Sequence, residues 1–146
     1  MTPLLKGNDA IAVAGMRVKS MPEEVLSLPL LVNPAYLVKD GSVVYLTADK
    51  KGATTTQNTA AGYIGIVVLN GMIDSYKKGD VVPVMVKGKV WSPSVAKITD
   101  LTTVVGATTD GKITATTGTT AAVNGMRFAS PSVGSQNLTV IEILGV

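Results

Sequence analysis

The chain has 146 residues, 46% of them hydrophobic but only 4% aromatic, with a formal charge of +3 and neither Cys nor His. That length suits one domain, or a domain plus an arm, and is enough to bury roughly 70% of the unfolded surface. The missing residue types exclude disulfides and any thiolate or imidazole chemistry. The apolar content is mainly Val, Ala, Ile and Leu, and Thr is abundant; with 15 Gly and 7 Pro, this predicts many short strands joined by turns.

In chain order, the apolar stretch Ala10 to Val18 is too short for a membrane span and is interrupted by Arg17, with Asp9 before it. It also lacks the positive start and longer apolar centre of a signal peptide. Residues 1–35 contain Pro3, Pro22, Pro29 and Pro34 and the apolar run LSLPLLVNP. Proline at this density blocks a long helix and a central strand. The region reads as an extended arm with one or two short edge strands. A helical turn after Met21-Pro22 is an option, because Glu23 and Glu24 suit its positive end. The apolar patches need a cover, either the chain's own domain or a neighbour.

Residues 36–146 read as the β domain. Asp40-Gly41 signals a turn before SVVYLT, and YIGIVVLNG ends on Asn70-Gly71. Gly79-Asp80 opens the strand Val81 to Val86, which Lys87-Gly88 is expected to turn back into Lys89-Val90-Trp91. Pro83 argues for an edge position or a bulge. Val82, Val84 and Val86 face one way, and Val81, Pro83 and Met85 the other. Apolar residues on both faces imply a closed barrel packed on something else, or an oligomer. Val95, Ile98 and Leu101 have helical spacing and predict one short helical turn. Asp110-Gly111 marks a hairpin, Asn124-Gly125 another turn, and NLTVIEIL a final strand.

Chemistry is sparse. Without His or Cys, the usual activated nucleophiles are missing. Asp74 with Asp80 and Glu23 with Glu24 are the candidate carboxylate pairs. The Asp residues flank turns, where Asp bonds its own backbone, and the Glu pair reads as a helix start or a solvated pair. Zinc has no ligands of its preferred kind, the isolated Asp residues match no calcium loop, and no glycine-rich phosphate cradle is visible. No enzyme activity, metal or cofactor is expected. Lys50, Lys51, Lys77, Lys78, Lys87 and Lys89 occur in pairs near turns and read as solvated, so no nucleic-acid partner is expected. Trp91 reads as a packing residue before a binding hot spot.

Three stretches together resemble the phage structural cement proteins. These are AIAVAGM (Ala10 to Met16), then YKKGDVVPVMVKGKVW (Tyr76 to Trp91), and a DGKIT hairpin followed by NGMRFASPSVGSQNLTVIEIL. Their order and spacing span nearly the whole chain. The resemblance implies a small β-barrel or β-tulip module on the outside of an icosahedral head, assembled in the host cytoplasm. It implies a homotrimer that clamps neighbouring major-capsid subunits. The arm would then make the contact, through Leu26, Leu28, Leu30, Leu31 and Val32. The rival reading is a carbohydrate-binding or head-fibre module on the virion surface.

Overall fold

The computed structural model describes residues 12–18, 23–47, 49–55, 64–70, 74–108, 110–115, 121–122 and 125–144. These form eleven strands: β1 (Arg17–Val18), β2 (Glu24–Pro29), β3 (Val43–Leu46), β4 (Ala53–Thr54), β5 (Ile64–Val67), β6 (Val81–Pro93), β7 (Val105–Ala107), β8 (Ile113–Ala115), β9 (Ala121–Ala122), β10 (Met126–Phe128) and β11 (Leu138–Ile143). No helix occurs among the described residues. The fold is all-β, as the Val- and Thr-rich composition predicts.

β6 organises everything else. Its first half pairs with β2 on one side and β5 on the other, through Leu28↔Val82, Leu26↔Val84 and Val67↔Val84. β5 continues to β3, and β3 to β4. Leu30, just past β2, then forms a parallel bridge to Ala53 of β4. The pairings therefore run β2-β6-β5-β3-β4 and back to β2, a ring of five strands. Alternation along each strand turns Leu28, Leu30, Val44, Leu46, Ala53, Val67, Val82 and Val84 into one buried cluster. Tyr76 and Val38, joined by their own bridge, fill that cluster further. Gly65 lies opposite Val44 in this lining. A Cβ on Gly65 would come within 2.3 Å of Val84 Cγ1, so the residue is held small by packing.

The other face of the same strands feeds a second core. Val43, Tyr45, Ile64, Ile66 and Met85 pack with Val90, Ile98, Phe128, Ile141 and Ile143. β11 pairs along the second half of β6, and β10 pairs with β11. A small sheet of β8-β7-β9 adds Val105, Ala107 and Ile113. Apart from Val81 and Pro83 at the start of β6, the apolar residues on both faces of β3, β5 and β6 are thus covered within one chain, on one side by the barrel interior and on the other by this second layer.

Two local expectations are corrected. Lys87-Gly88 is not a turn: β6 runs unbroken for 13 residues. Glu24 pairs with Lys87 but Val25 with Met85, so Val86 is the extra residue of a bulge, beside Gly88 at φ +127°. The bulge bends the strand from its barrel partners toward β11. The predicted helical turn over Ser94 to Leu101 is also absent. Long-range bonds replace helical ones there: Val95 N donates to Ile113 O, and Ile98 exchanges bonds with Ser132. Asp100 accepts from the backbone and hydroxyl of Thr102, closing a side-chain turn. Met21 and Pro22, where the other helical turn was placed, lie outside the described residues, and Glu24 begins a strand.

Pro83 shows how the ring tolerates an imino acid. Its carbonyl accepts from Val68 N at 2.9 Å, but it has no N–H to return the bond. The ladder between β5 and β6 accordingly stops at Val67↔Val84. The turn signals at Asp40-Gly41 and Asp110-Gly111 hold, whereas Gly71 and Asn124, which complete the signals Asn70-Gly71 and Asn124-Gly125, lie outside the described residues. Gly41 and Gly111 both adopt positive φ, and β7 and β8 form the hairpin around Asp110-Gly111.

Candidate partner-docking surface

β2 alternates, and its alternation sorts the five residues expected to contact a partner. Leu28 and Leu30 point into the barrel, and Leu26 is half-buried against the same cluster. Leu31 turns outward and is 48% exposed, and Val32 is half-buried. Leu31 rests over Gly52, where a Cβ would come within 2.2 Å of Leu31 Cδ1. Its backbone N–H donates to Ala53 O at 2.9 Å, so the side chain is presented from a fixed frame.

Leu31 does not stand alone. Pro29 pairs with Val81, and Val81 is 58% exposed. Ser27 pairs with Pro83, which is half-buried. Ser27, Pro29 and Leu31 share the outer side of their strand, as do Val81 and Pro83 of theirs. The result is an apolar strip on the barrel's outer wall. Pro29, Val81 and Pro83 were not singled out as contact residues from the sequence. The available signal was the alternation of Val81 to Val86, which leaves the odd residues outside once the even ones line a barrel.

The remaining surface offers little chemistry. A groove of about 570 Å³, of mixed polar and apolar lining, is bounded by Lys39, Asp40, Asp74, Pro93, Val95 and Lys112, among others. Of the two Asp residues expected to serve turns, Asp80 does so, and Asp49 serves one as well. Asp80 Oδ2 accepts from Lys77 N at 2.8 Å, and Asp49 accepts from the Thr47 hydroxyl and Lys51 N. The Thr47 hydrogen bond, first, and that backbone bond hold the Asp49 carboxyl below its ordinary value. Glu23 is paired with Arg17 at 2.8 Å. No group of three or more acidic residues that could hold a metal ion is found among the described residues. Trp91 is half-buried opposite Val140, and its backbone exchanges bonds with Gly15 and Met16.

Tyrosines plug the joints. Tyr36 donates its hydroxyl to Val43 O at 2.5 Å and lies against Gly111, where a Cβ would clash with the ring. Burial pushes the Tyr36 phenol up strongly, with smaller contributions from Tyr45 and Asp110. Burial raises Tyr45 as well, and Tyr76.

Comparison with known proteins agrees with this architecture. One solved structure, described as "The capsid of Myoviridae Phage XM1", contains a chain that superposes with a TM-score of 0.62 at 16% identity. The match covers 91% of this chain and 89% of that one, and it establishes likeness of fold. No curated protein matches the sequence. The family described as "Structural cement protein (E217 gp24/Pam3 gp6)" matches residues 5–144. With nearly the full length matched, the chain belongs to the phage structural cement protein family.

Proposed function

We propose that this protein decorates the outside of a phage head and clamps neighbouring major-capsid subunits, as a homotrimer without enzymatic activity. The observation that carries the reading is the strip of Pro29, Leu31 and Val81. Both cores of the chain are filled from within, yet these residues remain on the wall of a rigid barrel. An exposed apolar strip on a stiff frame suits adhesion, and many copies turn a modest contact into large shell stability. Val32, half-buried beside Leu31, extends the same contact. Leu28 and Leu30 act indirectly, by holding the strand that presents it.

The test is binding of purified protein to phage heads that lack it. Leu31→Asp and Val81→Asp should weaken decoration about tenfold or more while leaving the thermal midpoint within a few degrees, since both side chains are exposed. Full binding by both variants would remove the strip from the interface. Light scattering of the free protein checks the trimer; a monomer that decorates heads normally would discard that part of the proposal.

A further inference from the structure

Two lysine pairs that are 27 positions apart in the sequence stand on either side of Leu30-Leu31. Each opens a Lys-Lys-Gly triplet, at residues 50–52 and 77–79. On one side, Leu31 N donates to Ala53 O and the Leu31 side chain covers Gly52. On the other, Gly79 N donates to Leu30 O, and Leu30 N donates to Asp80 O. Lys51, Lys77 and Lys78 are exposed and Lys50 is half-buried. The two acids within these turns, Asp49 and Asp80, are each bonded to backbone N–H groups. The four lysines therefore outweigh the local acids by two charges. Across all other described residues, seven Lys and Arg balance seven Asp and Glu. The net positive charge of the described chain resides at this one end of the barrel.

We infer that the end of the barrel formed by the Lys50-Lys51 and Lys77-Lys78 turns, with Leu31 between them and Val81 beside it, docks onto an acidic protein surface with an apolar centre. This rests on the capsid-binding reading and specifies the chemistry of the capsid face. An apolar centre with a charged rim is the pattern of protein interfaces, where rim charges set orientation and the rate of encounter. A nucleic-acid site would favour arginine forks and aromatic platforms, and the described residues of this end expose neither. The rigidity of the two turns supports the assignment. Thr47, Asp49 and Gly52 bond one another across the first turn, and Asp80 ties the second to Lys77.

The experiment titrates wild-type protein, K50E/K51E, K77E/K78E and the control K97E/K112E onto purified heads lacking the protein, at about 0.05 M and about 0.5 M NaCl. Each basic-pair variant should bind about tenfold more weakly at low salt, with the difference narrowing to under about threefold at high salt. The control should stay within about twofold, and all variants should keep the wild-type thermal midpoint. If wild type binds heads and both basic-pair variants match it at both salts, this inference falls and the capsid reading stands. If wild type does not bind heads, the capsid reading fails and takes the inference with it. A parallel titration with mixed-sequence duplex DNA separates the partner classes. Equal affinity for DNA, lost in the same variants, would assign this end to nucleic acid and overturn the proposal.

Discussion

Leu30 and Ala53 meet across a parallel bridge, and that bridge joins the two ends of the barrel's strand order. Every other junction in the ring is antiparallel and spans two or more residue pairs. Leu30 is fully buried, with its side chain in the barrel and its backbone bonded to Gly79 and Asp80. Leu30→Ala should therefore cost roughly 2–5 kcal/mol in urea-induced unfolding. A cost below about 1 kcal/mol would mean the seam contributes little to the barrel.

Gly65 gives a sharper packing test. A Cβ there would meet Val84 Cγ1 at 2.3 Å and Met85 O at 2.8 Å, and the backbone oxygen cannot step aside. Gly65→Ala should destabilise by about 1–3 kcal/mol. Gly134→Ala is the companion: its φ of +74° strains a side chain, but nothing lies within 4 Å. Only the conformational cost of about 1–2 kcal/mol should appear there. Thermal melts of the two variants, combined with the double variant, separate crowding from strain.

Ser92 is fully buried and donates its hydroxyl to Gly41 O at 2.7 Å, tying β6 to the turn before β3. Gly41 sits at φ +85°, and a Cβ there would come within 2.8 Å of Ala14 Cβ and 3.0 Å of Pro93 Cδ, so the closely packed turn cannot readily move to find another donor. Ser92→Ala should cost about 1–3 kcal/mol. Backbone amide exchange should accelerate at Gly41 and Ser42, and unchanged exchange would show that the hydroxyl does not secure the turn.

Alkaline pH should weaken the fold. Tyr36 is raised by burial from an ordinary value of 10.0, and Tyr45 and Tyr76 are raised too. The folded chain holds these protons more tightly than the unfolded chain. Their contribution is therefore complete below pH 10 and is lost as pH climbs beyond it. Urea midpoints should be flat from about pH 8 to 9.5 and fall by pH 11. Tyr36→Phe should start lower, through loss of the Val43 hydrogen bond, and decline less steeply. A wild-type midpoint that holds level to pH 11 would contradict the assignment.

Much of this architecture is legible in the residues. Asp40-Gly41 and Asp110-Gly111 mark turns because glycine alone enters positive φ without strain, and both do so here. Leu138 to Ile143 reads as a strand and is one. The two-faced apolar pattern of Val81 to Val86 implies a closed barrel packed on something else, or an oligomer; in the structure both layers of cover come from the same chain. What the pattern hides is long-range pairing. Pro29 suggests exclusion from a sheet, yet Leu30 points its N–H toward Asp80, so the residue before it turns its nitrogen away from β6. The proline then costs no ladder bond on that side. Gly88 resembles a turn because a bulge and a turn both favour positive φ, and only the partners on either side distinguish them. The paired lysines read as separate solvated turns, since nothing local reveals that Leu30-Leu31 runs between them.

The double duty of β6 also orders events while the chain is being made. The barrel ring draws only on residues up to Val86, so it can close once that stretch has emerged from the ribosome. Its outer wall, with Val43, Tyr45, Ile64 and Ile66, is not fully covered until Leu138 to Ile143 arrives to pair along the far half of β6. For the time needed to synthesise some 50 residues, at roughly 5–20 residues per second, a finished barrel carries an open hydrophobic flank. Nascent protein is most vulnerable to sticking in that interval, and the last strand ends it.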